Sequence, residues 1–359
     1  MMDKQWLSAA LFCASVLGVS CCGLVGHGPR RGGTRTTQLQ SGLWCTEGDG
    51  KYDVGILHLE LPRGDFEKVL RNDDMITKAM SEVRRSLLVF VSDSTRPEGG
   101  GCSPDLARYI SETYSRTWDE VVAGKKFDMQ CTVVSDGVNM AVPGLEDFVS
   151  RYAPDVLYRP GSPRQPWSPL AATSVTEWAR DPHVEQYSPL LRTEEDVSYY
   201  FLDAPDMQLR TFSKVAVGGT FDRIHHGHKK LLTFAALMCT EELTVGVSGD
   251  ALLKNKKGAH LIAPQTERMN NVRTFVEGFY PSLSLNIVPI DDPFGPTITD
   301  ATIDAIIVSS ETLGGAAKIN AIRRARSFKP LDVIVSRRGE TSTLSSTFLR
   351  NLEADAARL

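Results

Sequence analysis

Between Lys214 and Leu232 the chain passes from a short apolar run, Lys214-Val215-Ala216-Val217, through Gly218-Gly219 into an apolar spacing of helical period. A strand that bends at glycines straight into a helix is the repeating step of an α/β fold. The bend itself, G-G-T-F-D-R-I-H-H-G-H-K-K-L-L over residues 218–232, packs three histidines, three glycines and two lysines into fifteen positions. So many chargeable side chains at one strand-to-helix corner ask for a physical reason.

The alternation continues downstream. Strands are expected at 214–217, 243–247, 285–290, 305–308 and 331–335, and helices at 227–239, 264–279, 315–327 and 346–357. Five strands with intervening helices predict a Rossmann-like, doubly wound parallel sheet in the C-terminal half. Ligands of such sheets bind beyond the carboxyl ends of the strands, where the corner lies. Upstream, Val54 to Leu61 alternates like a strand and Met75 to Ser86 suits a helix. Leu87 to Val91 reads as a strand, Leu106 to Val121 as a helix and Phe127 to Val134 as a strand, so a separate N-terminal α/β domain is expected. Its Glu98-Gly99-Gly100-Gly101 lacks a following Lys-Ser/Thr and reads as a turn rather than a phosphate loop.

Four segments result: a hydrophobic leader or anchor with a linker over 1–50, the N-terminal α/β domain over 51–159, a Pro-rich connecting segment over 160–209, and a second α/β domain over 210–359. Trp6 to Val25 carries no charge, and Arg30, Arg31 and Arg35 follow it. A secretory signal, a membrane anchor and an organelle-targeting leader all fit that pattern; as an uncleaved anchor it would leave the rest of the chain in the cytosol. Seven cysteines, at 13, 21, 22, 45, 102, 131 and 239, form no C-x-x-C pair, which favours free thiols in a reducing compartment.

The net charge of −4 is unevenly spread: from Asp206 onward there are 19 Lys and Arg against 16 Asp and Glu, a net of +3 that leaves −7 for the remainder. This is no general nucleic-acid surface, but it suits a small phosphorylated ligand in the back half. At the corner, Gly218 and Gly219 let the backbone approach a ligand closely. A helix beginning near Gly227 aims its free N–H groups at whatever sits there. His225 and His228 in H-x-G-H, with Lys229 or Lys230 nearby, can donate to phosphate oxygens as charge builds in a transition state. A zinc site is the alternative for the histidines; it lacks an obvious third ligand.

The string G-T-F-D-x-x-H-x-G-H resembles the signature of the nucleotidyltransferase superfamily related to class I aminoacyl-tRNA synthetases. Ser345-Ser346-Thr347-Phe348-Leu349-Arg350 resembles its second element, S/T-S-T-x-x-R, in which hydroxyls and helix-start amides hold the outer phosphates and an arginine neutralises them. Val245 to Lys254, Pro264 to Arg268, Asp292 to Pro296, Ile307 to Thr312 and Gly314 to Asn320 are similar to the phosphopantetheine adenylyltransferases of eukaryotic and archaeal type. That resemblance covers about residues 210–357.

It implies a nucleotidyltransferase fold and adenylyl transfer from ATP to 4′-phosphopantetheine, with Mg²⁺ carried on the ATP phosphates and no direct protein ligand to the metal. It implies ATP contacts from Gly218, Gly219, Thr220, Phe221, Gly227, His228, Glu311, Ser345, Ser346, Thr347 and Arg350. His225 and His228 would stabilise the α-phosphate in transition. Lys254, with Thr220, would grip phosphopantetheine, Lys256 and Lys257 being close rivals; Asp222 would shape the corner. Thr312 sits beside Glu311 in the same element. The chain lacks G-x-x-x-x-G-K-S/T, so the dephospho-CoA kinase step is expected on a separate polypeptide. The alternatives are a cytidylyltransferase, a nicotinamide mononucleotide adenylyltransferase, or a catalytically inactive scaffold.

Overall fold

The computed structural model describes residues 50–94, 102–136, 143–160, 197–202, 210–254, 256, 258–336, 346 and 348–350. The leader at 6–25, the glycine run ending at Gly101, most of the Pro-rich segment, and Lys257, Ser345 and Thr347 lie outside them, as does the expected last helix beyond Arg350. Among the described residues no helix is long and apolar enough to cross a membrane.

Two parallel sheets carry the fold. The first is built from β1 (Tyr52–Glu60), α1 (Phe66–Glu82), β2 (Val83–Ser92), α2 (Pro104–Ala123), β3 (Gln130–Ser135), α3 (Leu145–Tyr152) and β4 (Val156–Tyr158), in the strand order β3-β2-β1-β4. Its helices start where local chemistry permits. Asp65 caps α1 by accepting the Lys68 N–H at 3.1 Å, and Ser103 caps α2 by accepting that of Leu106 at 3.1 Å, with Pro104 in the first turn. The central strand β2 reads as a continuous apolar run, Leu87 to Val91, because helices cover both its faces.

The second sheet contains β5 (Tyr199–Phe201), β6 (Phe212–Gly219), α4 (His226–Met238), β7 (Cys239–Ser248), α5 (Asp250–Leu253), α6 (Gln265–Phe279), β8 (Ser284–Ile290), β9 (Ala305–Ser309), α7 (Leu313–Ala325) and β10 (Asp332–Ser336). Its order is β5-β10-β9-β6-β7-β8, all parallel. From β6 the winding proceeds to β7 and β8 on one side, then reverses to β9 and β10 on the other. The crevice between the carboxyl ends of β6 and β9 is therefore the topological switch point. The five expected strands are all present. The sixth, β5, is a three-residue edge pairing Tyr199 with Val333, too short to leave a periodic pattern in the sequence.

One apolar core runs through both sheets. Phe148 on α3 is fully buried, with its ring centroid 6.1 Å from that of Phe90 on β2 and 6.1 Å from that of Phe279 on α6. Tyr114 on α2 accepts the Val133 N–H at 3.1 Å and lies 3.0 Å from the Thr233 hydroxyl on α4. Burial, reinforced by the neighbouring Tyr280, holds the Tyr114 phenol far above its ordinary value, so it stays neutral. Phe148→Ala should cost about 3–5 kcal/mol of stability on denaturant unfolding, since it removes a ring wedged between the two sheets.

Candidate functional site

The corner after β6 is built from strained and buried parts. Phe221 and Arg223 adopt left-handed backbone, with φ of +51° and +47°. Side chains other than glycine adopt that region rarely, and where they do so the surroundings hold them there. Gly219 matters for space rather than for dihedral freedom: a Cβ there would sit 3.1 Å from the Phe221 ring and crowd it. At Gly218 a Cβ would meet only the Gly246 carbonyl, at 4.0 Å, so the strand end is open on that side.

The carboxylate of Asp222, fully buried, ties the corner together. It accepts from Arg350 Nη1 at 2.8 Å, from Arg223 Nη1 at 2.8 Å and from the Ala263 N–H at 3.2 Å. Arg268, also fully buried, donates to three carbonyls: Thr220 at 2.6 Å, Ser248 at 2.8 Å and Ala263 at 2.9 Å. It thereby pins the ends of β6 and β7 to the start of α6. Burial lowers its guanidinium from the ordinary value, and Asp222 works against that shift.

His225 caps α4. Its Nδ1 accepts the Gly227 N–H at 3.1 Å, so in the neutral ring Nε2 carries the proton and donates to Ser346 Oγ at 3.2 Å. Ser346 passes the chain on, donating to the Asp222 carbonyl at 2.9 Å. His228 stacks on His225 with centroids 4.0 Å apart and lies tilted against Phe221 at 5.3 Å. Gly227 lies in the first turn of α4. Thr220 receives a lysine, but that lysine is Lys256, whose Nζ donates to Thr220 Oγ1 at 2.5 Å. Desolvation, then the neighbouring Arg350, pull the Lys256 ammonium below its ordinary value. Lys254 stands exposed at the end of α5. Glu311 and Thr312 follow β9 across the switch point; Thr312 Oγ1 donates to the Ser309 carbonyl at 3.1 Å, and Glu311 is exposed.

The structure thus brings Gly218, Gly219, Thr220, Phe221, His225, Gly227, His228, Ser346 and Arg350 to one corner. It sets Glu311 on the opposite bank and leaves Lys254 at the rim. Lys229 and Lys230, expected beside a phosphate, are both buried. The Lys229 ammonium leaves the corner for Gln130 Oε1 at 2.8 Å and the Cys131 carbonyl at 3.0 Å on β3. Burial pulls it down to about 8, which leaves it charged at neutral pH. Reading the sequence alone named Lys256 only as a rival to Lys254, and missed the depth of Asp222 and the part played by Arg268. An arginine on an amphipathic helix gives no sign of whether it meets water or three carbonyls.

A switch-point crevice flanked by two imidazoles, a helix start and a distant hydroxyl–arginine pair defines the nucleotidyltransferase class. Residues 216–352 match the cytidylyltransferase-like family model. Over 127 residues, 35% of this chain, the sequence is 43% identical to the phosphopantetheine adenylyltransferase of Methanopyrus kandleri and spans 80% of it. It is 38% identical over 153 residues, 41% of this chain, to the phosphopantetheine adenylyltransferase of Saccharomyces cerevisiae, spanning 50% of it. It is 45% identical over 118 residues, 33% of this chain, to an uncharacterized protein of Schizosaccharomyces pombe, spanning 37% of that protein. The chain belongs to the phosphopantetheine adenylyltransferase family. It spans half or less of the two fungal relatives' lengths.

Two outcomes follow from this site. Asp222→Asn should cost about 3–5 kcal/mol on denaturant unfolding, because it leaves Arg350 buried without its counter-charge. His226, fully desolvated, is held well below the ordinary imidazole value by burial and then by Lys229. The unfolded chain therefore takes up this proton first, and stability should fall as pH drops below about 6.5, by up to about 1.4 kcal/mol per unit. Melting curves of His226→Phe should lack that part of the acid limb.

Proposed function

We propose that the chain transfers the adenylyl group of ATP to 4′-phosphopantetheine, giving dephospho-CoA and pyrophosphate. The observation that carries this reading is the 3.2 Å contact between His225 Nε2 and Ser346 Oγ. The two halves of the nucleotidyltransferase signature lie 121 residues apart in sequence and meet at one crevice. A phosphate monoester is already a competent nucleophile, so the site has no need of a serine, a cysteine or a general base. An oxygen of the pantetheine phosphate attacks the α-phosphorus of ATP. The new P–O bond forms as the bond to the β-phosphate oxygen breaks, and pyrophosphate departs with that electron pair.

In this reading the first-turn N–H groups of α4 and the His228 ring stabilise the charge growing on the α-phosphate. Ser346 and Arg350, with the neighbouring Ser345 and Thr347, receive the outer phosphates. Thr220 and Lys256 face the incoming phosphate, a role in which Lys256 replaces Lys254. Glu311 borders the nucleotide from the β9 side. Asp222 is occupied on both oxygens by Arg350, Arg223 and the Ala263 N–H, which does not fit a direct metal ligand. Mg²⁺ would then be carried by the ATP phosphates. Residues 210–359 serve as the catalytic domain and 51–159 as an accessory α/β domain joined through 160–209. Residues 6–25 are a targeting or anchoring segment.

Pyrophosphate release with ATP and a panel of phosphate acceptors tests the reaction. Turnover is expected with 4′-phosphopantetheine; turnover only with CTP, or only with nicotinamide mononucleotide, would replace this reading by one of its alternatives. His228→Ala should fold as wild type and lose about 10²–10³ in kcat, the scale seen for removal of one transition-state donor.

A further inference from the structure

The first turn of α4 sends its ionisable side chains in two directions. His225 and His228, three residues apart, stack on the site side. His226 and Lys229, also three apart, are buried on the side that meets the first sheet. The His226 ring lies 5.1 Å from that of Trp118 and 6.4 Å from that of Tyr114, both on α2. The Lys229 ammonium is held by the Gln130 amide oxygen and the Cys131 carbonyl. Both acceptors belong to β3, the outermost strand on that side of the first sheet. Carbonyls on such an edge have no neighbouring strand to pair with, and here α4 supplies the donor.

We propose that the first sheet is a positioning element for adenylyl transfer: its β3 edge, holding Lys229, fixes the rotation of the α4 first turn and so aims His225 and His228. Lys229 and Gln130 touch no substrate; they act through the imidazoles. This inference rests on the reading of the reaction given above. Its physical basis is the stiffness of a helical turn. Side chains on opposite faces of one turn rotate together, so anchoring Lys229 and His226 on one side leaves the imidazole pair little freedom on the other. Transition-state groups tolerate about 0.5 Å and 10–20° of misplacement. A buried ammonium that lost its acceptors would have to find new ones, and the turn would move with it.

The test uses the full chain. Lys229→Met and Gln130→Ala are each made in the wild-type and in the His228→Ala background. kcat and KM for ATP and 4′-phosphopantetheine are normalised to the folded fraction from near-UV circular dichroism. Lys229→Met should lower kcat tenfold or more with both KM values within about twofold, and Gln130→Ala should lower it less. In the His228→Ala background each should lower kcat by a clearly smaller factor than in the wild type, because one of the two imidazoles they aim is gone. A loss there as large as in the wild type, or a folded Lys229→Met with wild-type kcat, would overturn the inference. If Lys229→Met fails to fold, Gln130→Ala decides on the same terms, since it leaves the lysine its Cys131 carbonyl. Ring-nitrogen resonances of His225 and His228 in histidine-labelled protein should shift with Lys229→Met whatever the substrate. Unshifted rings defeat the positioning inference alone, and a wild-type chain that turns over none of the acceptors defeats the reaction alone.

Discussion

A carboxylate withdrawn from water is the point on which the site depends. Asp222 carries a charge where hydration is denied, and it is tolerable there only because two guanidinium groups and a backbone N–H complete its shell. Those partners come from three parts of the chain: the corner itself, the turn before α6, and the segment that carries Ser346 and Arg350. Neutralising Asp222 therefore does more than remove an ion pair. It removes the link that holds Arg350, on the segment that carries Ser346, to the corner.

The joining of the two sheets follows a different logic. The corner needs anions and cations in register, whereas the junction needs shape. Trp118, Tyr114, Phe148 and Phe279 form it, with His226 held neutral among them. Lys229 brings a charge into this junction near the site. Its acceptors are an amide and a carbonyl, so the contact is directional without being an ion pair.

Much of this was legible before any coordinates. The α4 pattern, the strand series and the H-x-G-H string each leave a local mark, because hydrophobic period and glycine placement are set within a few residues. The meeting of His225 with Ser346 could be expected from a family resemblance, but not from the residues between them. Direction was harder to read. Four chargeable side chains at 225, 226, 228 and 229 look alike in a string, yet 225 and 228 serve one face of the turn while 226 and 229 serve the other. Spacing by threes was the available signal. The choice of Lys256 over Lys254 at Thr220 had no such signal, since it depends on how a short loop closes. The three-residue β5 was invisible for lack of length.

Arg268 leaves one lasting mark on the molecule. Its hydrogen bonds end on carbonyls, which satisfy its N–H groups but cannot cancel its charge. Together with Arg223, Arg350 and Lys256 it faces the carboxylate of Asp222, with Asp250 farther off. The mouth of the crevice thus keeps a surplus of positive potential behind low-dielectric walls. That field reaches into solvent over roughly a Debye length, about 8 Å at physiological ionic strength, and draws polyanions toward the bend before any contact is made. Encounter with an anionic ligand should accordingly weaken as salt is added.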